Sequence, residues 1–333
     1  MLSVFVGIDL GGSGTRAVLA QGDGHVLAIG QGPTGLLGGG AAGRRHMARA
    51  LDAALAPIRP LARDADCAVF AGTRGLSIPG RRDSLLLELK TRLPSADVRV
   101  ANDALIGLWG GLAGREGVAV VAGAGSIALA RSTDGQEGRA GGWGYLLGDD
   151  GSGYWLGREA VIAYLRSQEG RCPTGELSRL VAEHVRRSSV PETLGWLYRG
   201  EDQVERLAEL APLVSRAAVA GDPVARDILD RAGRALAQLA ETAARQVWRD
   251  SPPDPLNVAC CGGVWSAGPM LIDTFNASLM GALPTAQPAP PQLPPVGGAV
   301  LLAMGADRVL IPADVLERLR AGLLADIARR ARH

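Results

Sequence analysis

The sequence predicts an α/β protein built from two related domains. At 333 residues the chain exceeds the usual length of one domain. Residues 4–30 alternate between short apolar strands and tight turns, which is typical of a β-meander. The same order of strand, glycine turn, strand and Asp-Gly hairpin starts again at Gly117. This repetition indicates an internal duplication whose two copies have diverged in sequence.

Helices are predicted between these strands. Apolar residues at helical spacing over Arg44–Ala62 predict a helix that ends near Pro60, after a glycine-rich loop at 33–43. Before residue 113 we also predict strands at 66–72 and 98–101, a helix at 84–93, and a helix from Asn102 or Asp103 to Leu112. Further on we predict strands at 117–122, 126–131 and 256–261, helices within 154–250 and at 269–282, 297–305 and 313–332, and an extended proline-rich loop at 284–295.

The repeat suggests where the domains divide. We assign residues 1–114 to the first domain and residues 115–312 to the second, which carries a helical insertion. The C-terminal helix at 313–333 is expected to pack back on the first domain.

Composition and charge exclude several classes of protein. The formal net charge of +1 provides no electrostatic attraction to nucleic acid or to an anionic membrane. The longest apolar runs have the length of strands, so no membrane span is predicted. The short apolar run Val4–Ile8 has no basic segment before it and does not resemble a signal peptide. We therefore expect a cytoplasmic protein.

The cysteines and the single lysine exclude further chemistry. The four cysteines, Cys67, Cys172, Cys260 and Cys261, form no CxxC motif and have no histidine at metal-binding spacing. We interpret Cys260 and Cys261 as small buried side chains of a strand. The only lysine is Lys90, and no glycine turn is followed by one, so the chain has no Walker P-loop.

An aspartate and a glycine turn follow the first strand. Asp9 ends the apolar run and is followed by Gly11, Gly12, Ser13, Gly14 and Thr15. Glycine turns let backbone N–H groups approach phosphate oxygens, and the carboxylate would hold a hydrated Mg²⁺ against them. The alternative is an ordinary hairpin turn, but an aspartate in a buried strand is costly without a functional partner.

A second aspartate, Asp103, lies where a predicted strand meets a predicted helix. One interpretation is a helix N-cap. The other is a general base that takes a proton from a hydroxyl attacking phosphorus. The two are compatible, because ligands of α/β proteins gather where strands end and helices begin.

Three glycine-rich segments complete the pattern. A candidate second phosphate turn is formed by Gly123, Ala124, Gly125 and Ser126. This short motif is weak by itself, and its support comes from the order strand–turn–strand, carboxylate, strand–turn–strand along the chain. Gly141–Trp155 combines Gly142, Trp143 and Asp149, an aromatic plate and a carboxylate suited to a sugar; a glycine loop with core aromatics is the alternative. Gly262, Gly263 and Val264 follow a strand, where an adenosine would lie against the backbone.

Together these motifs resemble the BadF/BadG/BcrA/BcrD branch of the actin–hexokinase–Hsp70 superfamily, and within it the N-acetylglucosamine kinase-like proteins. The resemblance covers most of the chain, and the GGWG string at 141–144 is its most specific part. It implies two RNase H-like domains with a central cleft for ATP and sugar. It also implies an ATP-dependent hexosamine kinase with an aminosugar substrate, N-acetylglucosamine or glucosamine.

The resemblance implies a role for each matching residue. Asp103 would deprotonate the 6-hydroxyl of the sugar, and Asp9 would position Mg²⁺. Asn102, Gly142, Trp143 and Asp149 would join Asp103 in binding the sugar. ATP would be bound by residues 11–15, 123–126 and 262–264, with 297–299 near the adenosine.

The chain departs from the family pattern at the second turn and in the early loop. Ala124 replaces the usual threonine, and Ile127 and Gly35 stand where animal N-acetylglucosamine kinases carry asparagine. Unacetylated glucosamine therefore stays open as the acceptor. The zinc-binding cysteine cluster of ROK sugar kinases and the helix-turn-helix of their repressor relatives are absent from the sequence.

Two alternatives to a kinase remain. An ATPase activase would need cysteines that bridge two subunits around an iron–sulfur cluster, for which Cys172 is the candidate. A non-catalytic sensor of sugar or ATP is suggested by Ala124 and Ile127. For partners we expect a small-molecule aminosugar, neither nucleic acid nor membrane, and we leave a homodimer open.

Overall fold

The chain folds into two compact units, each containing one sheet. A computed structural model describes residues 3–330 apart from 13, 36–39, 64, 77, 188 and 201. Unit 1 comprises the chain up to Glu116 together with the segment from Pro290 onward, and unit 2 comprises Gly117–Ala289. Each sheet has five strands.

The sheet of unit 1 is mixed and has helices on both faces. Its strands are β1 (Ser3–Leu10), β2 (Thr15–Gln21), β3 (Val26–Gly32), β4 (Asp66–Thr73) and β5 (Asp97–Ala101). The helices of the unit are α1 (Gly40–Leu55), α2 (Arg59–Ala62), α3 (Arg81–Arg92), α4 (Asp103–Gly111), α12 (Pro295–Ala303) and α13 (Ala313–Arg330). The strand order is β3-β2-β1-β4-β5, with β1, β4 and β5 parallel.

Unit 2 repeats this strand arrangement. Its strands are β6 (Gly117–Ala122), β7 (Ser126–Arg131), β8 (Glu137–Gly141), β9 (Leu256–Cys261) and β10 (Ala286–Ala289), ordered β10-β9-β6-β7-β8. Its helices are α5 (Gly153–Gln168), α6 (Glu176–Val185), α7 (Val190–Leu197), α8 (Gln203–Ala208), α9 (Ala211–Val219), α10 (Pro223–Trp248) and α11 (Pro269–Ala282). Each sheet thus joins an antiparallel meander to two parallel strands, which supports the predicted duplication.

The central strand of unit 1 is buried on both faces. Val6, Ile8 and Leu10 belong to the core cluster that includes residues of α1 and α3. On the other face, Gly7 lies against α12, where a Cβ would be 2.5 Å from the Val300 backbone nitrogen. A parallel strand covered on both sides is expected to be apolar throughout, so Asp9 near its end is an exception.

The structure corrects several element boundaries. The predicted helix at 44–62 is two helices, because Pro57 interrupts the hydrogen-bond ladder between α1 and α2. Helix α1 begins at Gly40, inside the loop predicted at 33–43, and α3 begins at Arg81. The proline-rich stretch contains β10, an edge strand that tolerates Pro288 since its other side is unpaired in the sheet.

The assignment of residues 290–312 to the second domain is also corrected. This segment groups with unit 1. The reason is the packing of α12, whose Val296 and Val300 lie in a core cluster with Val18 and Ala20 of β2. The last helix, α13, contributes Leu319 and Leu323 to the same cluster. Within the described part of the chain, no helix is long and apolar enough to cross a membrane.

Helices α4 and α12 cross at glycines. A Cβ on Gly298 would lie 2.0 Å from the Ile106 carbonyl oxygen and 2.4 Å from the Gly110 nitrogen. A Cβ on Gly110 would lie 2.8 Å from the Pro294 carbonyl oxygen. Because the obstructing atoms are backbone atoms, the helices must separate to admit a methyl group. This crossing fixes α4, the helix that starts with Asp103.

We therefore predict that Gly298→Ala lowers the free energy of unfolding by about 3 kcal/mol, as overpacked cores do. Gly281→Ala in α11 is the matched control, since a Cβ there meets nothing within 4 Å. Because alanine favours helix more than glycine, the control should match or exceed the wild type by up to about 1 kcal/mol. Urea unfolding of both variants measures the difference, and equal stabilities would contradict the close crossing.

Candidate active site

In unit 1, parallel strands bring three charged residues to the same edge of the sheet. Asp9 of β1 is in register with Gly72 of β4, which is in register with Ala101 of β5. Arg74 lies two positions beyond Gly72 along the chain, and Asp103 lies two positions beyond Ala101. This edge is formed by the carboxyl ends of the strands, where ligands of open α/β sheets usually bind.

The carboxyl group of Asp9 is partly protonated near neutral pH, and a bound cation would favour its ionised form. The pKa of Asp9 is raised to about 7, mainly by burial and in addition by the nearby charge of Asp103. Arg16, its partner across the β1–β2 pair, acts in the opposite direction. A divalent cation would relieve the desolvated carboxylate, so the residue fits the predicted Mg²⁺ role. No group of three or more His, Cys, Asp or Glu side chains suited to a metal occurs among the described residues.

Asp103 is the first residue of α4 and is not its N-cap. The N-cap is Asn102, whose Oδ1 accepts a hydrogen bond from the Ala104 nitrogen at 2.9 Å. Oδ1 of Asp103 accepts from the same nitrogen at 3.0 Å. Burial raises the pKa of Asp103, whereas Arg74 and the backbone hydrogen bonds oppose the rise. A carboxylate with a raised pKa is better suited to accept a proton.

Hydrogen bonds close the first glycine turn, and one buried hydroxyl beside it has no hydrogen-bond partner in the described part of the chain. The Gly11 nitrogen donates to the Gly14 carbonyl at 3.0 Å, and Thr34 Oγ1 donates to the Gly11 carbonyl at 3.1 Å. Thr15 Oγ1 is buried with no hydrogen-bond partner among the described residues. Ser13, also predicted to bind ATP, lies outside the described residues. An unpartnered hydroxyl beside a glycine turn fits the predicted binding of phosphate oxygens.

In unit 2 the second glycine turn is hydrogen-bonded to Asp149 and Asp150, which follow the GGWG string. The Ser126 nitrogen donates to Asp149 Oδ1 at 3.0 Å, and Ser126 Oγ donates to the Asp150 carbonyl at 2.8 Å. The nitrogens of Gly153 and Tyr154, at the start of α5, donate to the carbonyls of Gly123 and Ala124. The turn is therefore supported through its backbone, without the hydroxyl that threonine would provide at position 124.

Asp149 has a structural contact that the sequence did not reveal. It adopts a left-handed conformation with φ +64°, which is uncommon outside glycine. A Cβ on Gly125 would lie only 2.9 Å from Asp149 Oδ1, so the carboxylate packs closely against this glycine. Asp149 was predicted to bind the sugar, and that remains a prediction. The structure shows that it supports the second turn.

This contact predicts different effects for two substitutions. Asp149→Asn should keep the Ser126 contact, since an amide oxygen accepts a hydrogen bond and asparagine tolerates φ above zero. Asp149→Ala leaves the Ser126 nitrogen without this acceptor and should lower the free energy of unfolding by about 2 kcal/mol. Thermal unfolding of both variants tests the difference. Equal losses would show that the Ser126 hydrogen bond contributes nothing measurable.

Trp143 is exposed and is not a core aromatic. Its side chain is 68% exposed, and the guanidinium of Arg139 lies 5.5 Å from the ring centroid. Arg139 Nη2 also donates to the Gly142 carbonyl at 2.9 Å. Gly142 has φ +71°, and a Cβ there would lie 2.6 Å from Ile127 Cδ1. The alternative of a loop with core aromatics is therefore wrong for Trp143, whose ring is accessible to a ligand.

The third glycine segment turns sharply after β9. Gly262 has φ +104°, and a Cβ there would lie 2.3 Å from the Ala122 carbonyl oxygen. Gly262 and Gly263 are exposed, whereas the Val264 side chain is buried. Gly262 and Gly263 are therefore the accessible residues of this segment for the predicted adenosine, and the binding role of Val264 stays a prediction. Residues 297–299, also implied near the adenosine, are buried in α12 of unit 1, and the α4 crossing explains the small size of Gly298.

The interpretation of Cys260 and Cys261 as buried side chains is confirmed for Cys261, whereas Cys260 is half-buried. All four are free. Burial raises the pKa of Cys67 to about 11 and those of Cys260 and Cys261 to about 12, so these thiols are not activated. Cys172 is half-buried, and its Sγ donates to the Ala163 carbonyl at 3.6 Å.

Two sheets of identical topology, with glycine turns at their strand ends and two aspartates at the strand ends of unit 1, define an α/β protein of the actin/hexokinase type. The chain belongs to the BadF/BadG/BcrA/BcrD ATPase family, whose model matches residues 6–303. This agrees with the resemblance drawn from the motifs.

Relatives with sequence similarity are kinases of aminosugars. The chain is 28% identical to an N-acetyl-D-glucosamine kinase of Dictyostelium discoideum over 316 residues, 92% of this chain and 99% of the relative. It is 37% identical to an N-acetylmuramic acid/N-acetylglucosamine kinase of Clostridium acetobutylicum over 137 residues, 41% of this chain. That second match spans 45% of the relative's length.

Solved structures extend the similarity. A Chromobacterium violaceum protein assigned as an N-acetylglucosamine kinase has a TM-score of 0.70 and 31% identity, covering 91% of this chain and 99% of that one. A ROK family glucokinase from Streptomyces griseus, solved with glucose and AMPPNP, has a TM-score of 0.54 and 22% identity, covering 91% and 98%. The glucokinase likeness concerns the fold alone.

Proposed function

We propose that this protein transfers the γ-phosphoryl group of ATP to the 6-hydroxyl of an aminosugar, with Asp103 as general base. The sugar kinase class is supported by the family and by the nearly full-length match to an N-acetyl-D-glucosamine kinase. The assignment of the base rests on one observation. Asp103 is a half-buried carboxylate whose pKa is raised by desolvation, at the strand edge that also carries Asp9 and the first glycine turn.

The residues of unit 1 suit this chemistry. Backbone N–H groups of the first glycine turn would bind phosphate oxygens, and Asp103 would accept the proton of the attacking hydroxyl. Asp9 would hold Mg²⁺, which when bound neutralises charge on the phosphates. Positioning of the acceptor next to the phosphate would then supply much of the rate enhancement.

The residues of unit 2 suit binding rather than proton transfer. The turn at 123–126 would offer backbone amides to phosphate, and Gly263, where a Cβ would meet nothing within 4 Å, leaves room for an adenosine against the backbone. The exposed Trp143 ring would pack on the apolar face of a sugar. Asn102, in unit 1, is exposed, and its amide nitrogen would be available to a sugar hydroxyl.

The acceptor is proposed as N-acetylglucosamine or glucosamine. The names of the relatives support the acetylated sugar. Ile127 weakens the case for the acetylated sugar, because its side chain packs towards Gly142 and offers no hydrogen bond to an acetamido group. We propose the cytoplasm as the compartment, where ATP is available, and a homodimer stays a prediction.

The test is ADP release, coupled to a spectrophotometric assay, across N-acetylglucosamine, glucosamine, N-acetylmannosamine, N-acetylmuramic acid and glucose. We expect one aminosugar to raise turnover well above the ATP-only background. If no sugar does so, the kinase proposal fails. Calorimetric binding of a sugar without formation of phosphosugar would instead identify a sensor. Iron bound to anaerobically purified protein would favour the activase alternative.

A further inference from the structure

A guanidinium group lies directly on the first glycine turn. Arg74 follows Thr73, which is in register with Leu10 at the end of β1. A Cβ on Gly12 would lie 3.3 Å from Arg74 Nη2 and 3.5 Å from both Cζ and Nη1. Nearly equal distances to these three atoms mean that the guanidinium lies with its face, rather than one N–H, toward the position that a Cβ of Gly12 would take.

The same guanidinium lies within electrostatic reach of Asp103. Arg74 is the one charged group that opposes the rise in the pKa of Asp103. Arg74 therefore lies close to both elements of unit 1 that the kinase reaction requires, the phosphate turn and the general base. Sequence reasoning missed it, although a charged residue just past a buried strand is the same signal that identified Asp103.

A second arginine makes this position more positive. Arg81 Nη1 would lie 3.0 Å from a Cβ on Gly75, the residue after Arg74. Burial lowers the pKa of Arg81, and the charge of Arg74 lowers it further. Two neighbouring guanidinium groups repel each other, and an arriving anion would relieve this repulsion.

Phosphoryl transfer needs positive charge at this location. The γ-phosphoryl group carries negative charge on its equatorial oxygens as it moves between donor and acceptor. Lys90, the only lysine, is exposed in the last turn of α3 and is not part of this edge. Arginine is suited to the task, since its planar fork donates several hydrogen bonds to phosphate oxygens and keeps its charge.

We propose that Arg74 is a catalytic residue that donates hydrogen bonds to the γ-phosphoryl group during its transfer. This inference rests on the proposed kinase function. The bond between the γ-phosphorus and the bridging oxygen of ADP breaks, and a bond from the acceptor oxygen to that phosphorus forms. The hydroxyl proton passes to Asp103, and Arg74 keeps its own protons throughout.

The experiment compares Arg74→Ala, Arg74→Gln and Arg74→Lys with Arg81→Ala. We expect Arg74→Ala and Arg74→Gln to lower kcat by ~10³-fold, as loss of an arginine at a transferring phosphoryl group does. The KM for the sugar should change less than about twofold, since this contact acts on phosphate. Arg74→Lys should keep part of the wild-type kcat, because the positive charge remains. Arg81→Ala should lower kcat less than about tenfold, because it removes a nearby charge but no contact to the γ-phosphoryl group.

Two further measurements separate a phosphate contact from a structural role. Calorimetry should show that Arg74→Ala weakens binding of a non-hydrolysable ATP analogue by roughly tenfold while ADP binding stays unchanged. Guanidinium chloride at low millimolar concentration should restore part of the rate to Arg74→Ala and none to Arg81→Ala. Thermal melts identify any variant that fails to fold, and Arg74→Gln then takes the place of the alanine variant.

Several outcomes would overturn the proposal. A rise in the KM for sugar with unchanged kcat would make Arg74 an anchor for the acceptor. Equal losses for Arg74→Ala and Arg81→Ala would indicate a general effect of charge. Equal weakening of ADP and the ATP analogue would exclude a γ-phosphoryl contact. If the wild-type protein phosphorylates no sugar, the proposed function fails, while the ratio of analogue to ADP affinity still decides the role of Arg74.

Discussion

Asp103→Asn should lower sugar-dependent ADP release by ~10³-fold or more, while the protein still binds ATP. Asparagine has nearly the shape of aspartate, and its amide oxygen still accepts a hydrogen bond from the Ala104 nitrogen. It cannot take a proton from the attacking hydroxyl. The coupled assay measures the loss, and calorimetry with a non-hydrolysable ATP analogue checks that the nucleotide site is intact.

The matched control for this prediction is the neighbouring N-cap. Asn102→Ala removes the cap of α4 and should lower the free energy of unfolding by about 1 kcal/mol. If Asp103 acts as the base, the cap variant should keep a far higher kcat than Asp103→Asn, although loss of the proposed sugar contact of Asn102 should raise the KM for the sugar. Comparable losses of kcat in the two variants would show that the conformation at the start of α4, rather than proton transfer to Asp103, determines the rate. Substantial turnover by Asp103→Asn would remove Asp103 as the base.

Asp9→Asn should stabilise the protein without nucleotide, and more strongly as the pH rises. The folded pKa of Asp9 is about 7, against 3.8 for the free side chain, so folding favours the protonated form. As pH rises from about 4 to 7, the unfolded chain releases this proton first, and stability falls. Above pH 7 the ionised carboxylate costs about 4 kcal/mol, an order-of-magnitude value that asparagine removes.

Urea unfolding at two pH values measures this effect. The gain from Asp9→Asn should be about 4 kcal/mol at pH 8 and about 2 kcal/mol at pH 5, since part of the cost is absent where the folded side chain is protonated. Asp23→Asn is the control with the opposite sign, because hydrogen bonds from His25 lower the pKa of that exposed carboxyl. An unchanged or lower stability of Asp9→Asn at pH 8 would refute a desolvated, ionisable Asp9.

The same substitution should reduce catalysis. An amide oxygen is a weaker ligand for Mg²⁺ than a carboxylate, so Asp9→Asn should require more Mg²⁺ for half-maximal activity. Higher stability together with lower activity is expected where a site keeps an unfavourable charge for function. Titration of activity with Mg²⁺ measures the shift, and an unchanged requirement would remove Asp9 from the metal role.

Much of the fold could be predicted because its signals are local. The strands of both meanders are short apolar runs between glycine turns, and the apolar stripe of α1, with Leu51 and Leu55, is buried as predicted. The two edge strands of unit 2 were missed, whereas the edge strands of unit 1, β3 and β5, were predicted. β8 is rich in glycine and charge, and β10 contains a proline, so neither shows an apolar alternation. Their pairing depends on β7 and β9, residues far away along the chain.

By itself, the sequence determined the duplicated α/β organisation, the motifs of a BadF-type ATPase and the aspartates at the strand ends, since each depends on neighbouring residues. Only the tertiary structure decided that Asn102 caps α4, that Asp149 supports the second turn and that Arg74 lies on Gly12. Charge, burial and hydrogen bonding at these sites arise from strands and loops that are distant in sequence. The register of β1, β4 and β5 brings them together, and no local pattern encodes that register.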